Sequence, residues 1–134
     1  MNYFLAKSEP QTYSWERFLK EKKCSWDGVR NYAARNTLRA MQEGDLMLFY
    51  HSGEDKCVKG IAKVKKTAYP DPTAPGEDWS AVDLVPFKTL KNAVPLSAIR
   101  ADKRLTQIML VRQGRLSVMS LKQEEFDAIV ELGS

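Results

Sequence analysis

One histidine and two cysteines among 134 residues exclude more chemistry here than any motif does. A lone His51 removes every site built on two or more imidazoles: His-rich zinc catalysis, the iron facial triad and blue copper. Cys24 and Cys57 form no C-x-x-C. A four-ligand structural zinc would consume both thiols, the only histidine and a carboxylate, so neither a metal nor a cofactor is expected. The two cysteines read as reduced thiols. The longest strictly apolar run, Leu46–Tyr50, falls far short of the roughly 20 residues that cross a bilayer, so no membrane partner is expected. The opening MNYFLAKSEP has no basic stretch followed by an apolar one, and a cytoplasmic location is expected. G-x-G-x-x-G, G-x-x-x-x-G-K and G-x-S-x-G are all missing, which leaves dinucleotide, P-loop and hydrolase-elbow sites without support. His51 and Ser52 are neighbours on a strand and point to opposite faces, so they make no nucleophile–base pair.

What is present is the composition of one soluble domain, 43% hydrophobic and 28% charged, over residues 1–134. The net charge of +4 is unevenly spread: +7 over residues 1–120 and −3 over 121–134. A basic body suits a polyanion.

Along the chain, Asn2–Lys7 predicts a strand that stops at Ser8-Glu9-Pro10. Ser14–Glu21 predicts a helix capped by Ser14, with Trp15, Phe18 and Leu19 as its stripe. Asn31 caps a helix to about Gln42, stopped by Gly44; Ala34, Leu38 and Met41 form the buried stripe, and Tyr32, Arg35 and Arg39 another face. Asp45–His51 reads as a strand buried on both faces. Val58–Lys66 reads as its return strand, with Val58, Gly60, Ala62 and Val64 on one face and Lys59, Lys63 and Lys65 on a wet, basic one. Tyr69–Asp78, with three Pro and one Gly, is an irregular loop. Ser80–Thr89 is a strand; Asp102 caps a helix to about Val111; Arg115–Ser120 is a short strand; a Ser120–Gln123 capping box opens the last helix. This order predicts an α+β fold, a small curved or barrel-like mixed sheet flanked by helices, with neighbouring strands antiparallel.

Three segments concentrate polar and aromatic groups where the chain turns: Lys7–Pro10, Trp26–Tyr32 and Tyr50–Ser52. Together they offer what a planar heterocycle needs. Trp26, Tyr32 and Tyr50 have π faces; Ser8, Glu9, Asn31 and Ser52 have donors and acceptors for a base edge. Arg30, Arg35 and Arg39 suit phosphates. Each element has a plainer reading beside this one: Trp26 and Tyr50 as core aromatics, Asn31 as a cap, Arg35 and Arg39 as a solvated helix face, His51 as a hydrogen-bonded strand end.

On these segments the sequence resembles the EVE domain family. The matching stretches are FLAKSEP (Phe4–Pro10), WDGVRNYAARN (Trp26–Asn36), Gly44-Asp45 with Phe49–Ser52, KGIAKV (Lys59–Val64), AYPDPTA (Ala68–Ala74) and RLSV (Arg115–Val118), in family order along the chain. The resemblance implies a PUA-like fold, akin to YTH and ASCH domains, and recognition of a modified nucleobase lifted from its stack. By position it implies a base pocket of Ser8, Glu9, Trp26, Asn31 and Tyr32, with Val29 against a methyl group. Tyr50, His51 and Ser52 form another wall, Arg115 and Ser117 border the pocket, and Trp79 follows the Pro-rich loop as a cage aromatic. Lys7, Arg30, Arg35, Asn36, Arg39, Lys59, Lys63 and Lys65 are then the phosphate contacts. The chain departs from the family in its short Ser52–Lys56 turn and short Pro70–Trp79 loop. The expected function is a non-enzymatic reader of nucleic acid, with modified cytosine in DNA as the base. The alternatives are an RNA-binding PUA-like module, a small enzyme on a nucleoside-like ring using Glu9 or His51, and a partner-docking domain.

Overall fold

Residues 1–134 are described by a computed structural model. The two predicted caps set the first helices. Ser14 Oγ accepts from the Arg17 N–H at 3.0 Å and opens α1, Trp15–Glu21. Asn31 Oδ1 accepts from the Ala34 N–H at 3.0 Å and opens α2, Tyr32–Ala40. In α1 only Trp15 and Phe18 are buried; Leu19 is left in solvent, because seven residues present little more than one row to the sheet. The second helix ends before Gln42 because Asp45 Oδ2 captures the Gln42 N–H at 2.9 Å.

The strands are β1 (Tyr3–Ser8), β2 (Cys24–Trp26), β3 (Leu46–His51), β4 (Cys57–Pro70), β5 (Ser80–Pro95) and β6 (Val118–Leu121). They form one mixed sheet in the order β2-β5-β4-β3-β1-β6. It is curved but open: β2 and β6 are its two edges, so it is not a closed barrel. The β3, β4 and β5 strands pair antiparallel, as their short links dictate, but β1 and β3 run parallel, joined by the crossover through α1, β2 and α2. Edge strand β2, for which the sequence carries no strand signal, forms because Ser25 and Trp26 find Asp83 and Val82 opposite them.

Alternation along β1 and β3 divides two cores. Phe4, Ala6, Met47 and Phe49 face α1, α2 and the Trp26 turn; Leu5, Leu48 and Tyr50 face the C-terminal helices. Strand β4 departs from the predicted faces. A register shift between Val58 and Gly60 turns Val58 into the second core while Ala62 and Val64 remain in the first. The predicted helix from Asp102 breaks up into a 3₁₀ turn (Lys103–Leu105) and α4 (Met109–Arg112), after α3 (Leu96–Ala101). Ile108 between them is extended, with ψ 149°, so the helix cannot run through it. The last helix, α5 (Gln123–Leu132), is opened two residues later than predicted: Glu125 Oε1 accepts from the Lys122 N–H at 2.8 Å, and Ser120 belongs to β6.

Candidate functional site

The C-terminal end of β1, edge strand β2 and the N-terminus of α2 converge on the side of the first core, where they enclose a cavity of about 770 Å³. Lys7, Ser8 and Glu9 come from the end of β1, Cys24, Ser25 and Trp26 from β2, and Asp27 to Asn31 from the turn that follows. Tyr13, Arg17, Glu21 and Ser117 also line the cavity. Local bonds fix these walls. Ser8 Oγ donates to the Tyr13 carbonyl, and the Lys7 N–H donates to the Ser117 carbonyl at 2.8 Å. Lys7 Nζ donates to the Gly114 carbonyl, and burial lowers its pKa. Trp26 is 8% exposed and lies edge-to-face against Phe49 at 5.6 Å, so the core holds one side of the indole while the residue lines the cavity.

The Trp26–Asn31 turn is held by Asp71. Its carboxylate is fully buried and accepts from the Gly28 N–H at 2.8 Å, Arg30 Nη1 at 3.0 Å, the Thr73 N–H at 2.7 Å and Thr73 Oγ1 at 2.6 Å. Burial opposes its ionisation, but these donors outweigh burial and hold its pKa at about 2. Gly28 sits at φ +76°, a conformation that glycine adopts without cost, which aims its N–H at this carboxylate. Tyr13 donates to Glu21 Oε1 at 3.0 Å, and burial raises its phenol pKa. Burial likewise pushes the Cys24 thiol up to about 11, so it stays protonated at neutral pH. No three His, Cys, Asp or Glu side chains gather as a metal site.

Of the expected base-pocket residues, the fold brings Ser8, Glu9, Trp26, Val29, Asn31 and Ser117 to this cavity, together with Lys7 and Arg30. The others lie elsewhere. Tyr50 alternates to the opposite face of β3 and is buried in the second core, where burial raises its pKa. His51 is a structural link: Nε2 accepts from the Trp15 N–H at 2.9 Å, which leaves Nδ1–H to donate to Asp55 Oδ2 at 3.1 Å. The Ser52 N–H donates to the Ser8 carbonyl at 2.9 Å and continues the parallel pairing. Tyr32 and Trp79 stack on each other at 5.1 Å, with the Arg35 guanidinium 4.9 Å from the Tyr32 ring, outside the cavity. Arg115 borders a separate shallow hollow with Asn31 and Ala33.

Four of the eight expected phosphate contacts, Arg30, Arg35, Arg39 and Lys59, are engaged by acids. Arg30 bonds Asp71 and Thr73; Arg35 and Arg39 both bond Asp78, and Arg39 Nε also donates to Ser80 Oγ at 2.9 Å. Asn36 Oδ1 accepts from Arg35. Lys59 pairs with Glu16 at 3.5 Å. Lys63 and Lys65 are exposed on a strand that does not border the cavity. Sequence reasoning missed Asp71 and Asp78. Asp71 had a signal: Pro-Asp-Pro-Thr is a turn sequence whose aspartate bonds backbone two residues on, as it does here to Thr73.

The chain is similar to known proteins throughout. The EVE domain family model matches residues 2–132. Mouse thymocyte nuclear protein 1 is 36% identical over 165 aligned positions, covering 98% of this chain and 73% of that protein. The structure of human THYN1 in complex with 5-methylcytosine-containing DNA shares 32% identity and a TM-score of 0.93, covering 100% of this chain and 98% of that one. The YTH domain of Zygosaccharomyces rouxii MRB1, solved with N6-methyladenosine RNA, matches at TM-score 0.63 and 14% identity over 99% of this chain and 86% of that one, a likeness of fold alone. The fold is thus PUA-like, and the chain belongs to the EVE domain family.

Proposed function

We propose that this protein is a nucleic-acid reader whose cavity receives one nucleobase turned out of its strand, with modified cytosine in DNA as the preferred base. The observation that carries this reading is the match over the whole chain to a relative solved with 5-methylcytosine DNA, combined with a cavity of about 770 Å³ at the Trp26–Asn31 turn. The groups suit a cytosine. Its exocyclic amino group is a donor, and Glu9 and Asp27 offer carboxylate acceptors. Asn31, whose Oδ1 is spent on the helix cap, retains an amide N–H₂ for a base carbonyl. The Trp26 indole and Val29 provide apolar surface for the ring and a methyl group. Asp78 is 78% exposed, so its pairs with Arg35 and Arg39 are screened and worth little, and a phosphate can take its place. Catalysis is not part of this reading: the one thiol in the cavity is protonated, and the only histidine is committed to Trp15 and Asp55.

Titration of single-stranded and duplex DNA, with and without 5-methylcytosine, tests it. Tighter binding of the methylated strand is the expected result, and equal affinity for both strands overturns the reading. Tighter binding to RNA of the same sequence would move the preference to the 2′-hydroxyl. Glu9→Gln is expected to weaken the methylated oligonucleotide by about tenfold, the cost of losing a carboxylate acceptor for the amino group. Its melting temperature should not move, since the side chain is exposed. Unchanged affinity in Glu9→Gln would take Glu9 out of the pocket.

A further inference from the structure

Arg17, Lys23, Arg30, Arg35 and Arg39 around the cavity are each paired to a carboxylate. Positive charge without a carboxylate partner gathers on the β4–β5 ribbon. Lys63, Lys65 and Lys66 are exposed, and none forms an ion pair. Ala62 and Val64 are buried in the first core, so Lys63 between them leaves the sheet by the face opposite the cavity. Two aromatics lie among these lysines. Lys63 Nζ is 5.4 Å from the Phe87 ring and Lys66 Nζ is 4.6 Å from the Tyr69 ring. Phe87 is 53% exposed, so its ring lies open to solvent beside Lys63.

This face is connected to the cavity across edge strand β2. Asp83, opposite Lys66 in the ladder, accepts from Ser25 Oγ at 3.1 Å and pairs with Lys23 at 3.6 Å. Ser25 and Lys23 also line the cavity. Asp83 itself is 6% exposed, so it does not cancel the lysines toward solvent.

We infer that the Lys63–Lys66 face with Phe87 is a second nucleic-acid surface, which carries the backbone of the strand as it leaves the cavity around the β2 edge. It rests on the reading of the cavity as a base site. Same-face residues on a strand stand about 6.6 Å apart, close to the step between phosphates of an extended single strand. Lys63 and Lys65 stand at that step, Lys66 follows across the register shift, and the exposed Phe87 ring gives a base a surface to stack on; an acidic peptide would match the charge but offers no planar base.

The experiment compares the wild type with a Lys63→Gln/Lys65→Gln/Lys66→Gln variant on two ligands: a long single-stranded oligonucleotide carrying 5-methylcytosine, and 5-methyldeoxycytidine monophosphate. The variant is expected to bind the oligonucleotide at least tenfold more weakly, with the slope of log affinity against log salt reduced by about 2, for three single-strand phosphates released. Its affinity for the mononucleotide should not change. Phe87→Ala should weaken the oligonucleotide alone, by about tenfold. An unchanged salt slope in the triple variant overturns the inference. Displacement of the oligonucleotide by polyglutamate of equal charge overturns the assignment to nucleic acid. If the slope falls but neither protein binds the mononucleotide, the surface stands and the cavity reading fails.

Discussion

Asp71→Ala is expected to destabilise the protein by about 3 kcal/mol and to loosen the turn that forms the cavity. The carboxylate is fully buried and satisfies the Gly28 and Thr73 backbone N–H groups, the Thr73 hydroxyl and the Arg30 guanidinium. Its removal strands donors that cannot all reach water, at about 1–3 kcal/mol each, while Arg30, 41% exposed, rehydrates. For a domain of this size the melting temperature should fall by about 10 °C. The acid limb of stability should change as well. The folded-state pKa of Asp71 is about 2, below the ordinary carboxylate value of about 3.9, so the folded state binds its proton less readily. The stabilisation is therefore complete above about pH 4 and is lost as pH falls toward 2, an amount on the order of 2 kcal/mol. Urea unfolding at pH 5 and at pH 2.5 should show this loss in the wild type and not in Asp71→Asn. Equal acid sensitivity of the two proteins would remove Asp71 from this role.

What could be read from the sequence follows a physical division. The caps at Ser14 and Asn31 are local: a side chain bonds a backbone N–H three residues on, so residue type and spacing suffice. The buried strand at 46–51 was legible because both of its faces are apolar. The candidate site was legible where its residues are consecutive in the chain. Ser8 and Glu9 sit together at the end of β1, and Trp26, Val29 and Asn31 share one turn. Tyr50 and His51 were misplaced because their side chains follow strand alternation and the demands of neighbours. One fills the second core, and the other receives the Trp15 N–H, whose donor lies 36 residues away. The same holds for the arginines. Their number and spacing were plain, but nothing local shows that Asp71 and Asp78, about forty residues on, neutralise them. The bulge in β4 reversed Val58 for a similar reason, since a register shift depends on the partner strand.

Gly60→Ala is the substitution expected to damage the core most, by about 3 kcal/mol or more. A methyl group at Gly60 would stand 2.3 Å from Trp15 Cζ2 and 2.6 Å from two other indole atoms. Trp15 cannot yield. It is 1% exposed, its N–H donates to His51, its indole N–H donates to Thr89 Oγ1 at 3.0 Å, and its ring packs edge-on against Phe18 and Phe49. Phe49 in turn supports Trp26 at the cavity, so the clash should also disturb the site, visible as a change in near-ultraviolet circular dichroism. Gly114→Ala serves as the control: its added methyl meets nothing within 4 Å, and it should be neutral or slightly stabilising through the unfolded state. Because the cost in Gly60→Ala is a collision with the indole's outer ring, removing that ring should relieve it. Trp15→Phe alone leaves a void and destabilises, but Trp15→Phe/Gly60→Ala should be less destabilised than the two single effects added together, by about 1–3 kcal/mol in equilibrium unfolding. Strict additivity would mean that the alanine methyl is accommodated elsewhere and that Gly60 is not held to glycine by Trp15.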